Sequence, residues 1–169
     1  RSPAEQRLIE RYQDYLGDLK VFEECQKNQS RLLESYWCSL TGRDFEKEVA
    51  RLYEKVGYTA MLTPYGNDGG VDILLRRNDK SIIVQCKRYS KPVGVAVVRE
   101  LYGVLQSSEA DTAILASTGG FTQGVHDFVK GKSIQLLGLS EIIDLQKSVG
   151  YKAEKELTAP GGTPHTPHP

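Results

Sequence analysis

The chain's 169 residues fit one domain plus an appendage, and a 39% hydrophobic share is enough for a core. Lys+Arg 22 balances Asp+Glu 22, so bulk charge argues for neither a nucleic-acid nor a membrane partner. No run approaches the roughly 18 apolar residues of a membrane span and no signal-peptide pattern opens the chain, while Cys25, Cys38 and Cys86, scattered without metal-ligand spacing, read as reduced thiols of a cytoplasmic protein.

Ser2-Pro3-Ala4-Glu5 has the form of a capping box with Pro at the first helical position. Beyond it Leu8, Tyr12, Tyr15, Leu19, Phe22, Gln26, Gln29, Leu33 and Tyr36 alternate spacings of four and three, a heptad seam with polar layers in the middle. The seam suits a dimerising or interdomain helix, or one long helix laid against its own domain; Gly17 and the glutamine layers favour the second. It also suits a stem below an upstream region, since the sequence opens at Arg1 without Met.

Thr41 to Asp44 can cap a second helix that ends before Gly57, with Phe45, Val49, Leu52, Tyr53 and Val56 as its apolar stripe. Glu46 and Glu48 each lie about 80° from the centre of that stripe, on opposite borders, so helix geometry does not choose between them. A short strand is expected over Tyr58 to Thr63. The loop Pro64 to Gly70 follows, with Asp68 as a turn residue.

Val71 to Arg77 and Ser81 to Arg88 are Val/Ile/Leu-rich strands joined by a polar turn, a hairpin. An even-numbered turn sets Asp72 across from Gln85, with Cβ atoms about 5 Å apart, and places Lys87 two residues further along the same face. An odd one would send Asp72 to the other face. A carboxylate, an amide oxygen and an ammonium on one face suit a hard divalent cation acting on phosphate. Mg²⁺ takes one or two protein carboxylates and leaves the other positions to water and phosphate. Asp72 would be the main ligand, Gln85 a neutral one, and Lys87 would hold or deprotonate the attacking water. Cys86 points to the opposite face, into the core. Between Ile73 and Arg99 the chain carries Arg76, Arg77, Lys80, Lys87, Arg88, Lys91 and Arg99 against Asp79 as the only acid, the local charge that a DNA-binding surface needs.

Val95 to Leu105 reads as a helix with Val97, Val98, Leu101, Val104 and Leu105 inward, and Arg99 on its polar side, set either to reach a DNA phosphate or to make a helix-to-sheet salt bridge. Thr112 to Ser117 is a strand fit for the middle of a sheet. Ser117-Thr118-Gly119-Gly120 at its end, before a short helix capped by Thr122, is either a phosphate-holding turn, with Thr118 as the candidate contact, or a plain connecting loop. A last strand over Ser133 to Leu137 and a helix over Ser140 to Val149 close the domain. His126 has no Cys or His partner nearby and reads as a surface or partly packed residue. From Ala159 onward Pro, Gly, Thr and His dominate, as in a disordered tail.

Phe45-Glu46, Asp68-Gly69-Gly70-Val71-Asp72-Ile73, Gln85-Cys86-Lys87-Arg88, Val98-Arg99-Glu100-Leu101 with Gly103, and Ser117 to Thr122 together resemble the Mrr-type branch of the PD-(D/E)XK nucleases. The resemblance covers about Trp37 to Leu145. It implies a metal-dependent nuclease acting on DNA, with Asp72, Gln85 and Lys87 at its centre and Glu46, preferred over Glu48, as a helix-borne acid and second metal contact. Gln85 stands where most of the wider group carries Glu or Asp, and the Mrr branch itself uses Gln there. The expected fold is α/β, a restriction-endonuclease-like mixed sheet flanked by helices and preceded by the long N-terminal helix. Residues 1–40 form the helical extension, 41–149 the nuclease domain and 150–169 the tail.

The resulting expectation is an endodeoxyribonuclease using Mg²⁺, with Mn²⁺ able to substitute, in restriction or DNA defence. Arg76, Arg88, Lys91, Arg99 and Thr118 are its candidate DNA contacts. A homodimer through the N-terminal helix or the nuclease domain, and a place in a larger defence assembly, are the partner arrangements considered. The rival readings are a non-cleaving DNA-binding or sensor module of the same fold, a junction nuclease, and an interaction protein whose N-terminal helix is the operative part. No helix-turn-helix or zinc finger is visible to read bases.

Overall fold

The Arg77-to-Lys80 segment closes the central hairpin as expected. In the computed structural model, which describes residues 1–64 and 69–158 with side chains through 150, β2 (Ile73–Arg77) pairs antiparallel with β3 (Lys80–Lys87) from Arg77↔Lys80 to Ile73↔Val84. The turn is therefore Asn78-Asp79, with Asn78 at φ 54, a left-handed conformation that Asn tolerates.

β1 (Thr59–Leu62) adds antiparallel to β2. On the other side β4 (Thr112–Ser117) and β5 (Ile134–Leu137) continue the sheet in parallel, giving the order β1-β2-β3-β4-β5. Parallel neighbours need crossovers. α4 (Val95–Ser107) and α5 (Gln123–Val129) supply them, packing Val98, Leu101, Leu105 and Val125 onto Ile83, Ala113 and Leu115 on one face. α3 (Gly42–Val56) and α6 (Leu139–Thr158) cover the other face, where Phe45, Val49, Leu52 and Ile142 meet Ile73, Leu75, Val84 and Ile114. Each such side chain stabilises the fold by about 1.5–3 kcal/mol relative to exposure. α3 starts and stops as its sequence dictates: Thr41 Oγ1 accepts from Asp44 N at 3.2 Å, and Gly57 takes the left-handed C-cap at φ 108.

Three expectations are corrected. First, the N-terminal helix does not run through Tyr36. α1 (Pro3–Ser30) ends before Arg31, and α2 (Glu34–Ser39) follows and drives Trp37 into the core, so the globular part begins before residue 41. Second, α1 is not laid on its own domain, for none of its residues is buried. Its Ser2 capping box is present, with Glu5 N donating to Ser2 Oγ at 3.2 Å and Ser2 N to Glu5 Oε2 at 2.7 Å. Third, α6 continues past Val149 to Thr158, so no tail begins at 150. The tail from residue 159 and the turn assigned to Asp68 lie outside the described residues.

The junction between α1 and the domain is a buried guanidinium. Arg31, 2% exposed, donates through Nε to Glu48 Oε2 at 2.7 Å and through Nη2 to Glu48 Oε1 at 3.1 Å. Its Nη1 reaches Glu24 Oε1 at 2.8 Å and Asn28 Oδ1 at 2.7 Å, while Trp37 Nε1 donates to its carbonyl at 2.9 Å. Burial works against the charge, yet the hydrogen bonds that Arg31 donates to Glu48 and Glu24 hold its pKa above the ordinary value.

Candidate active site

The site forms where β2 and β3 separate. One step beyond the last regular pair, Ile73↔Val84, Asp72 and Gln85 would face each other, but Asp72 leaves the ladder. Its N–H donates to the Val84 carbonyl at 2.8 Å, as at a β-bulge, and its Oδ2 accepts the Cys86 N–H at 2.7 Å. Thr63 holds the other side, its N–H 2.9 Å and its Oγ1 3.2 Å from the Asp72 carbonyl. The expectation of a strand running from Val71 is thus corrected: β2 begins at Ile73, and just before it the Asp72 carboxylate is held by the β3 backbone at Cys86 N.

That turn brings Asp72 toward α3. Glu46 and Asp72 lie within hydrogen-bonding reach of one another, and Lys87 acts on the same carboxylate. Burial pushes the Asp72 pKa up and the neighbouring Glu46 adds to it, against the opposing pull of the Cys86 N–H and Lys87. Glu46 itself takes Arg43 Nη1 at 2.7 Å, and the same nitrogen donates to the Thr63 carbonyl at 3.1 Å. Glu48, the alternative acid, points away to Arg31 and to Arg51, whose Nε is 3.4 Å from Glu48 Oε2. Burial opposes its charge, but the Arg31 hydrogen bond and Arg51 hold it below the usual range. Tertiary structure therefore puts Glu46, and not Glu48, beside Asp72.

Gln85 is buried, and its Oε1 has no hydrogen-bond partner. Such an acceptor costs about 1–3 kcal/mol of desolvation if nothing fills it. Gly70 makes room for this amide: with φ 71, a Cβ there would overlap Gln85 Nε2. Two carboxylates and a free amide oxygen are hard oxygen donors, the set that Mg²⁺ or Mn²⁺ takes when water and phosphate complete the shell. Among the described residues no group of three His, Cys, Asp or Glu could cage a metal, and the two-carboxylate set requires none. The residues present fit a divalent cation.

The candidate DNA contacts divide. Arg88 and Lys91 are exposed where β3 ends beside Lys87, although Arg88 Nη2 already donates to the Cys38 carbonyl at 2.8 Å. Arg76 is exposed near the hairpin turn, four residues and so about 13 Å along the strand from Asp72. Arg99 is exposed on α4 with its guanidinium 5.9 Å from the Phe128 ring centroid. Thr118 is buried, its N–H on the Lys87 carbonyl at 3.2 Å and its hydroxyl donating to the Tyr89 carbonyl at 3.0 Å, so it braces the β3 exit. His126 is exposed, in edge contact with Phe121. Cys86 packs against the α3-side core, where burial pushes its thiol well above the ordinary value and Asp72 and Glu46 add to the effect. Three residues with a place in the site carry no role in the sequence reading, Arg43, Thr63 and Gly70. The spacing of Arg43 three before Glu46, and the paired glycines two before Asp72, are the signals that point to Arg43 and Gly70.

A mixed five-stranded sheet flanked by helices and preceded by a long N-terminal helix matches the restriction-endonuclease-like fold. Residues 38–146 match the family model of the restriction endonuclease Mrr catalytic domain, and the chain belongs to that family. Members of the family generally use divalent metal ions. Over 94 residues the chain is 33% identical to the uncharacterized protein y4cE of Sinorhizobium fredii (strain NBRC 101917 / NGR234), covering 52% of this chain and 24% of the relative, about a quarter of its length. Among solved structures, the DNA modification-dependent restriction endonuclease AspBHI superposes with TM-score 0.57 at 18% identity, over 74% of this chain and 36% of that one. A protein of unknown function, AF1548, gives 0.56 at 18% identity, over 65% and 67%. The MspJI restriction endonuclease, solved in complex with a 27-mer oligonucleotide, gives 0.50 at 15%, over 80% and 36%. At these identities the structural likeness speaks for the fold alone. No helix among the described residues is long and apolar enough to cross a membrane.

Proposed function

We propose that the chain is the catalytic part of a divalent-metal-dependent DNA endonuclease, in a cytoplasmic restriction or defence role. The observation that carries this reading is the meeting of Glu46 and Asp72, two acids from separate elements, with the unpartnered oxygen of Gln85, the β3 neighbour of the Cys86 that Asp72 holds, as a further donor. Like charges are brought together at a cost in stability, and a hydrolytic site is a reason to accept it.

A cation held by Asp72, Glu46 and the Gln85 amide oxygen, Mg²⁺ with Mn²⁺ as substitute, supplies positive charge for the phosphate. Lys87 orients or deprotonates the attacking water and offsets charge on the phosphoryl oxygens. The water oxygen bonds to phosphorus as the opposite P–O bond breaks, and the departing oxygen takes up a proton. Arg43 and Thr63 keep Glu46 and Asp72 aimed, so little reorganisation is needed at the moment of reaction. Arg88 and Lys91, at the β3 exit, are the cations best placed to receive the DNA backbone.

The test is incubation with supercoiled, modified and branched DNA across Mg²⁺, Mn²⁺ and chelator, with Lys87→Ala alongside. Metal-dependent product from wild type only is expected. DNA binding that persists in chelator, with no product from any substrate in either metal, would leave a binding module instead.

A further inference from the structure

α1 carries an apolar stripe that nothing among the described residues of its own domain covers. Leu8, Tyr12, Tyr15, Leu19 and Phe22 are 67%, 62%, 60%, 38% and 58% exposed, on a helix of 28 residues, about 42 Å long. They occupy the a and d positions of a heptad frame in which Tyr12, Leu19 and Gln26 are a and Leu8, Tyr15, Phe22 and Gln29 are d. Glu24 then falls at f, opposite the stripe, and Glu24 is the residue that Arg31 holds at the junction with the domain. The catalytic domain is therefore tethered behind the seam, and the seam faces solvent. Gly17 is also at f, where an added Cβ would meet nothing.

We infer that α1 pairs with α1 of a second copy as an antiparallel two-stranded coiled coil. The flanking charges select the orientation. In a parallel pair, g positions approach the partner's e positions, which places Asp18 against the partner's Glu23 in both directions. In an antiparallel pair, g meets g and e meets e. The register that sets Leu8 on the partner's Leu19, and Tyr12 on the partner's Tyr15, brings Arg11 to the partner's Asp18 twice over by symmetry. It also brings Ile9 to the partner's Leu16. Sliding one heptad toward longer overlap sets Asp18 on the partner's Asp18. Glu5 meets the partner's Phe22 with its carboxylate already tied back to Ser2 N. Isologous pairing of this kind closes as a C2 dimer, with a catalytic domain at each end of the rod.

Sedimentation equilibrium of the whole 169-residue chain, with helicity followed by circular dichroism, tests the pairing. Wild type is expected to dimerise. Arg11→Glu and Asp18→Arg, both on the helix surface, each weaken the dimer roughly tenfold by setting like charges face to face, and the double variant restores it. Ala4→Cys is expected to form an intermolecular disulfide under mild oxidation that Cys25→Ser removes, because positions 4 and 25 face each other across the antiparallel pair. A wild type that stays monomeric at about 100 μM would overturn the inference. So would an Asp18→Arg dimer tighter than wild type, since that is the parallel result, or a cross-link indifferent to Cys25.

Discussion

The Asp72 carboxylate sits 2.7 Å from the Cys86 amide nitrogen and accepts its hydrogen, so the side chain that stands foremost in the site also closes the end of the β2–β3 ladder. Two kinds of substitution at this position should therefore behave differently. Asp72→Asn keeps an acceptor for the Cys86 N–H and is expected to lose cleavage with the fold unharmed. Asp72→Ala orphans that donor and is expected to cost about 1–3 kcal/mol of stability as well, measurable by urea denaturation.

The pH dependence of Asp72 follows from its surroundings. Burial, with Glu46 beside it, raises its pKa in the folded state, so between the unfolded and folded values the native protein binds more protons and stability falls as pH rises. Thermal melts should show Asp72→Asn above wild type at neutral pH, with the gap closing in acid. Added Mg²⁺ should raise the wild-type midpoint and leave that of Asp72→Asn nearly unmoved. A wild type indifferent to both pH and Mg²⁺ would remove Asp72 from the ligand set.

Gln85 offers a test in which activity and stability part. Its Oε1 is buried without a partner, so Gln85→Met, similar in length and apolar, relieves a desolvation penalty. Stability equal to or about 1 kcal/mol above wild type is expected, together with lost metal-dependent cleavage. Retained cleavage would show that the amide oxygen has no part in the reaction.

At Gly70 a side chain would overlap the Gln85 amide nitrogen and take an unfavourable positive φ. Gly70→Ala should displace Gln85 and lower cleavage by at least tenfold, beyond what a stability loss of about 1 kcal/mol explains. Comparing cleavage rates at a temperature where circular dichroism shows both proteins fully folded separates the two effects.

Arg31→Met removes a buried cation and leaves Glu48 with Arg51 alone, at 3.4 Å. A loss of about 3–5 kcal/mol is expected in chemical denaturation. Because the Glu48 pKa is lowered in the folded state, its contribution is present above the ordinary glutamate value and is lost as pH falls through the folded one, so the gap between variant and wild type should narrow in acid.

The hairpin register was legible because it is local: a two-residue polar turn between alternating strands leaves one pairing that keeps the apolar face inward. Helix α3 was legible for the same reason, from Thr41 to Gly57. The choice between Glu46 and Glu48 was not, since both border the apolar stripe and the decision comes from Arg31, 17 residues from Glu48. Nor was the bulge at Asp72, where strand alternation continues unbroken through a residue whose backbone departs from it. The heptad phase runs on through Leu33 and Tyr36, although burial of Arg31 and Trp37 breaks the helix there. Thr118 showed its hydroxyl in sequence and hid the carbonyl that occupies it.

Glu46 and Glu48 point to opposite duties from one stiff shaft. Along the 15 residues of α3, one acid reaches the cleft and the other grips the root of the protruding arm, with no flexible joint between them. The helix that presents one acid to Asp72 is therefore the same one to which the protruding arm is fastened.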